Sequence, residues 1–475
     1  MNGIWFRLSG LRNRISTLSK TKKLLLGAGT ATAVVFGVGY YTNRLNSGTK
    51  FRNVQYAHLS RHEQHTHYPP SVARRLKYAI WDESDKGDHK YEKALKQYIQ
   101  ALNKLDELEF DKLDDDYTRL ELKIAEMYEK IGRPEASKDI YLEVLHRYYD
   151  ALNTPRKVPD RLRPEMIRKD LRLLIKSLEL NTDLELGKRN LLAHLLLAQE
   201  EIFMRSPELE KFFNEKREKA GKTKKGGPID VSEFKTFVDS EHITLDKDGY
   251  MVLNLQKNSG AWEPFKEEFF TARDLYTAYC LSSNDIPSAL SCKMTTVEWM
   301  VMADMPPGQI LLAQANLGSL LYLQAEKFKA DIEQIEEKCE KKPELSKDSN
   351  VLKALRILHR NTDSCLNMAG QCYDSIVKFS KENKKLRYHL KKELDPAIAQ
   401  AIALSLYGKG VLTLQEGSLE EARRLLSEAV NMAREVDFAE LLREGENELE
   451  RVKDEIKNTP AVAPTTLNTV SNDEN

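Results

Sequence analysis

Few residues of this chain are of types and spacings that could do chemistry. His58, His62, His65 and His67 are four of only ten histidines. Imidazoles this close could hold zinc or copper, and His62 and His65 could share a helical face. Their surroundings, SRHEQHTHYPP, are polar and close on Pro69 and Pro70, which is the composition of a linker. Cys280, Cys292, Cys339, Cys365 and Cys372 are an odd number at spacings of 12, 47, 26 and 7. They match neither a zinc spacing nor a disulfide framework, and buried thiols on helices are the expectation. Asp114, Asp115 and Asp116 diverge around a helix, so a helix start explains them better than paired catalytic carboxylates. Asp246 and Asp248 before Gly249 lack the later ligands of a calcium loop and read as a turn. Trp262, Trp299, Phe269, Phe270, Tyr276 and Tyr279 read as core, with a partner pocket as the functional alternative. There is no GxxxxGK loop, HExxH, GxSxG, or GxGxxG after a strand, so neither an enzyme nor a cofactor is expected.

The elements that place the chain are more legible. Residues 24–43, LLLGAGTATAVVFGVGYYTN, carry no charge in a protein that is 31% Asp, Glu, Lys and Arg. As a helix they reach roughly 30 Å, the hydrocarbon thickness of a bilayer. A core helix or a cleaved signal peptide is the alternative, but the run ends in Tyr40 and Tyr41, suited to an interfacial belt, rather than a small-x-small cleavage site. Gly29, Ala33 and Gly37 recur every four residues, leaving one face open to close packing on another membrane helix. Residues 1–23 hold Arg7, Arg12, Arg14, Lys20, Lys22 and Lys23 and no acid, with an apolar stripe of Ile4, Leu8, Leu11, Ile15 and Leu18. That is the pattern of a mitochondrial targeting segment. Six basic residues precede the span and only Arg44, Lys50 and Arg52 closely follow it. The N-terminus is therefore expected in the matrix and the body in the intermembrane space, an outer-membrane anchor facing the cytosol staying open. The first 62 residues hold ten basic residues and no acid, which leaves 63 basic against 73 acidic for the rest. An acidic body argues against nucleic acid as a partner.

Residues 71–457 show helical periodicity nearly throughout. Leu406, Gly410, Gly417, Ala422, Leu426 and Ala429 stand at relative places 4, 8, 15, 20, 24 and 27, and this spacing resembles the tetratricopeptide (TPR) family. Gly410 and Ala422 let two antiparallel helices approach, Gly417 supplies a positive φ, Leu406 and Leu426 fill the seam, and Ser418 is expected to cap the second helix. Weaker echoes lie at Tyr91, Ala94, Leu95, Tyr98 and Ala101, which fit a second helix. Ala125, Tyr128 and Gly132 fit places 8, 11 and 15, with Ala136 and Ile140 following after a one-residue contraction. Ala289 fits place 20, with Thr277 where a small residue is usual. Leu317 and Gly318 match a first helix whose partner, after Phe328, is too long. The expected fold is all-α: a single transmembrane helix, then an irregular TPR-type solenoid with a peptide-binding groove lined mainly by first helices. Residues 44–70 read as linker, 214–260 as an insertion with a small β-hairpin at Ile243 to Leu245 and Tyr250 to Leu253, 341–350 as a loop, and 458–475 as a disordered tail.

A presequence-like start, a glycine-rich span, a His-bearing linker and about five irregular repeats together resemble the fungal membrane-anchored adaptors of the mitochondrial i-AAA protease. The resemblance covers nearly the whole chain by layout, and its specific motifs are the repeats and the anchor. It implies association with the protease and a sister adaptor at the inner membrane, and capture of unfolded protein substrates for degradation. An outer-membrane TPR import receptor and a respiratory-complex assembly factor are the alternatives.

Overall fold

The computed structural model describes residues 68–85, 88–180, 183–211, 213–214, 243–245, 251–253, 258–344, 346, 348–382 and 396–458. The targeting segment, the apolar span with Gly29, Ala33 and Gly37, the clustered histidines, the Asp246 turn and residues 459–475 lie outside them. In chain order the helices are α1 (Pro70–Glu83), α2 (Tyr91–Glu107), α3 (Asp115–Lys130), α4 (Pro134–Asn153), α5 (Arg163–Leu180) and α6 (Leu184–Arg205). After the insertion come α7 (Lys266–Ser282), α8 (Ile286–Met302), α9 (Pro307–Lys341), α10 (Ser349–Glu382), α11 (Pro396–Gln415), α12 (Leu419–Glu435) and α13 (Ala439–Asn458). Within the insertion β1 (Ile243–Leu245) pairs antiparallel with β2 (Met251–Leu253), Ile243 opposite Leu253 and Leu245 opposite Met251, at the predicted hairpin.

An amphipathic helix must cover its apolar stripe, and here each helix does so on its successor, from α1 on α2 through α12 on α13. Contacts between alternate helices, α5 with α7 and α9 with α11, join the hairpins into a stack. This is an all-α solenoid of the TPR type, as the repeat spacing predicts. One buried cluster runs from Ala125 to Val452, and a separate one lies under α1, α2 and α3 around Tyr98, Leu105 and Tyr117.

Six of the helix ends share one device. Gly132 and Gly417 have φ of +81° and +82°, and the amide after each reaches back to the helix: Arg133 N to Tyr128 O at 2.8 Å, Ser418 N to Thr413 O at 3.1 Å. The same bond closes α2, α7, α8 and α12, from Phe110 to Leu105, Asp285 to Cys280, Met305 to Met300 and Phe438 to Ala433. There the left-handed residue is Glu109, Asn284, Asp304 or Asp437, a conformation that costs an L side chain energy and is free for glycine. Asp114 caps α3 by accepting from Asp116 N at 2.8 Å, so the acid run is a helix start. Ser418 occupies the N-cap position of α12, but its hydroxyl makes no cap bond. Glu420 and Glu421 in the first turn supply the dipole complement instead.

The most enclosed stretch of the stack is the N-terminal half of α9. In α9 residues 310–326 are buried on every side, enclosed by α8, α10, α11 and strand β2. Helix α11 is long and apolar enough to cross a membrane, yet over half of that stretch is buried inside the protein, and it packs on α9, α10 and α12. It is a core helix. Tyr373 of α10 lies between two glycines: a Cβ on Gly408 would fall 2.3 Å from its ring and one on Gly318 2.7 Å away, while its hydroxyl meets Ser319 Oγ at 3.1 Å. The ring is 2% exposed and cannot swing clear. Gly408→Ala is therefore expected to destabilise the body by about 2 kcal/mol or more through overpacking, read as a lowered urea midpoint, with Gly370→Ala, where the added methyl meets nothing closer than 3.9 Å, as the tolerated control.

Candidate functional site

The residues singled out by the repeat pattern are architectural where the structure describes them. Ala94, Tyr98 and Ala101 of α2 and Ala125 of α3 are in the core, and Tyr128 is half-buried against the N-terminal cluster. Ala136 is only half-buried. The small residue that lets α4 approach α3 is Ser137, fully buried, followed by Tyr141 and Val144. These stand 12, 16 and 19 places after Ala125, so the contraction placed at Ala136 does not exist and the repeat has full length. Ala289 of α8 is fully buried and Thr277 nearly so. Leu317 and Gly318 are buried in α9, whose partner α10 spans 34 residues rather than one ordinary repeat helix. Leu406, Ala422, Leu426 and Ala429 close α11 on α12, where a Cβ on Gly410 would lie 2.9 Å from Leu426 Cγ.

The face made by the first helices of successive hairpins carries a ladder of ion pairs that the repeat pattern does not reveal. Glu83 of α1 bonds Lys123 and Lys130 of α3 at 2.7 and 2.8 Å, and Glu126 bonds the same two lysines, each at 2.9 Å. Glu129 of α3 bonds Lys176 of α5 at 3.1 Å, and Arg172 of α5 bonds Glu268 of α7 at 2.6 Å. The only sequence signal was acid and base at three- and four-residue spacing within ELKIAEMYEK; the cross-helix partners are distant in the chain. Burial alone would push the Glu83 carboxyl up, but the charges and hydrogen bonds of Lys123 and Lys130 outweigh it and hold it below its ordinary value of 4.5. Lys123, Lys130, Lys176 and Arg172 are thus each matched by a carboxylate of a neighbouring first helix.

In the C-terminal half the first helices α9 and α11 are bridged instead by Lys329, Glu326 and Gln415, at 2.9 to 3.1 Å. Strand β2 lies against α9, so an extended stretch of the chain already rests on a first helix. The aromatic group is core: Trp262 is fully buried, and Trp299 is 3% exposed, stacks on Phe269 at 5.4 Å and lies 5.2 Å from the Arg273 guanidinium. All five cysteines are free thiols, and burial pushes Cys280 and Cys365 up to about 11, which keeps them unreactive. Among the described residues no three His, Cys, Asp or Glu side chains converge on a metal site. Exposed apolar side chains gather on α6, at Leu192, Leu196 and Met204, and on α1, at Tyr78, Ile80 and Trp81.

A family model described as the MGR3 middle domain matches residues 155–305, the stretch holding α5 to α8 and the insertion. The mitochondrial inner membrane i-AAA protease supercomplex subunit MGR3 of Saccharomyces cerevisiae is 57% identical over 384 residues, 81% of this chain and 77% of that protein. This chain belongs to the MGR3 family. A second S. cerevisiae relative, Protein MRG3-like, is 33% identical over 395 residues, 82% of this chain and 83% of its own. The crystal structure of the P58(IPK) TPR domain aligns over 82% of the chain at 12% identity, but its TM-score of 0.17 is too low to bear on function. In this MGR3 family chain, then, the first-helix face is electrostatically braced at its N-terminal end, and farther along strand β2 lies against α9.

The Glu83 bracing has a defined pH signature. A carboxyl whose folded value is depressed adds stability that is present above its unfolded value and lost as pH falls through the folded one. Glu83→Gln is expected to lower stability by about 1–2 kcal/mol at pH 7. Its urea midpoint should converge on that of the natural protein as the pH drops below about 4.5; a gap independent of pH would show that Glu83 acts by shape rather than charge.

Proposed function

We propose that this protein is a non-catalytic, single-pass adaptor of the mitochondrial inner membrane, with its N-terminus in the matrix and its body in the intermembrane space. It joins an i-AAA protease and a sister adaptor and delivers unfolded proteins to the protease. The observation that carries this reading is 57% identity, over most of both chains, to a protein named as a subunit of that protease supercomplex. The uncharged span at 24–43 and the acid-free start before it agree with the location. The stacked hairpins offer an extended surface, and β2 seated on α9 supports a first-helix face that accepts extended backbone.

The mechanism is tethering. An ATP-driven protease must meet an unfolded segment, and a surface of modest affinity held on the same membrane raises the local concentration of such segments toward the mM scale without tight binding. The compensated ion pairs of α1, α3 and α5 suit variable clients, since they present charge of both signs without demanding one complementary motif. Gly29, Ala33 and Gly37 give the anchor a face for helix packing within the bilayer.

Photo-crosslinking from the body in intact mitochondria tests the reading. Unfolded inner-membrane or intermembrane-space proteins and protease subunits should be captured, and deletion of the adaptor should lengthen the lifetime of the captured clients. The double variant Gly29→Leu/Gly37→Leu should stay in the membrane through alkaline carbonate yet lose most of its co-purification with the protease. Shaving of the body by protease added to mitochondria with intact outer membranes would point to an import receptor. Loss of a respiratory complex with unchanged client lifetimes would point to an assembly factor.

A further inference from the structure

Among the described residues α1 is the first helix of the stack, and its outer face is not finished with polar residues alone. A terminal hairpin has no neighbour beyond it, and solenoids normally close such a face with polar residues. Here α1 packs on α2 through Val72 and Ala79, both fully buried, and turns outward a strip in which Tyr78 is 59% and Trp81 55% exposed. At 100° per residue Arg74, Lys77, Tyr78 and Trp81 fall within about a third of the helix circumference. Arg74 and Lys77 are exposed, and neither has an acidic partner among the described residues. No acidic residue occurs from Pro70 to Trp81, although the chain beyond residue 62 carries 73 acidic against 63 basic residues.

We infer that this face of α1 rests on the membrane surface and takes anionic phospholipid headgroups. Tyr and Trp carry an apolar body with a polar tip, the combination that settles at the headgroup level, and unpaired cations beside them are drawn to an anionic leaflet. Position favours the lipid over a protein occupant. Only the 26 residues from Arg44 to Pro69 separate α1 from the end of the apolar span, so whatever their arrangement α1 stays within about 90 Å of the bilayer. It is the part of the body nearest the anchor along the chain. A cationic, aromatic end on an acidic body would turn that end toward the membrane and hold the rest of the stack away from it. The inference rests on the anchored reading above and adds to it a second contact that sets the orientation of the body.

Full-length protein in phosphatidylcholine vesicles, with or without phosphatidylglycerol, tests this through quenching of tryptophan fluorescence by brominated acyl chains. The quenching component that disappears in Trp81→Phe should appear with the anionic lipid and weaken with added salt. Arg74→Glu/Lys77→Glu should remove it, at roughly five-fold per cation. All these positions are exposed, so urea midpoints should be unchanged and loss of folding cannot mimic the result. A protein that floats with the vesicles but shows no Trp81 component, or one indifferent to lipid charge, overturns the inference and leaves the anchor standing. A protein that does not float overturns both. Hydrogen-exchange protection of residues 74–81 that appears only on adding the purified protease complex, and never with anionic vesicles, would assign the face to a protein instead.

Discussion

A helix with a single apolar stripe cannot stand alone in water, and in this chain the cover for each stripe comes from its neighbours in sequence, supplemented by alternate helices at α5, α7, α9 and α11. Everything else depends on that constraint. The chain must reverse tightly and repeatedly, so a left-handed residue stands at the end of α2, α3, α7, α8, α11 and α12. The amide after each returns to a carbonyl that the helix would otherwise leave unpaired. The result is a rod assembled in sequence order, stabilised locally and offering long faces rather than a pocket. A structure of this kind suits holding extended segments better than enclosing a small molecule.

The legible part of the fold followed from residues that are costly to replace. Gly132 and Gly417 mark their turns because glycine meets no penalty at positive φ, and Ala94, Ala101, Ala289 and Ala422 mark helix crossings as small, fully buried side chains. Where Glu109, Asp304 and Asp437 do the work of glycine, the same turn leaves no clear trace, whereas Asn284 opens the run NDIPSAL that reads as a turn into a second helix. The helix before still ends, and tertiary packing rather than residue preference imposes the geometry. One residue of register separates the small side chains of Ala136 and Ser137, and only burial tells them apart. Helix α11 reads as a membrane span by composition, yet its apolar surround consists of α9, α10 and α12, a fact about distant segments that no local window contains.

The candidate surface was less legible than the fold for a related reason. Glu83 is 40 residues from Lys123, Glu129 is 47 from Lys176, and Arg172 is 96 from Glu268. Each charge looks like an ordinary solvated residue until neighbouring hairpins bring its partner within 3.1 Å. Bracing of this sort holds the first helices at fixed spacing without filling the space between them, so the face keeps its shape while remaining open to water. Farther along, α9 is enclosed by α8, α10, α11 and strand β2, and that burial withdraws its leucines from solvent.

The ring of Tyr373, seated between Gly318 and Gly408, ties α9, α10 and α11 into a triangle, whereas α1 and α2 pack with α3 into a separate small cluster, and only α3 reaches the main core, through Ala125. The rod is therefore mechanically uneven. Tension applied at its N-terminal end would peel the first hairpins away one at a time, each yielding at low force. The triangular bolt would resist as one block until it fails all at once, so the two ends of the molecule would part company with their neighbours on very different timescales.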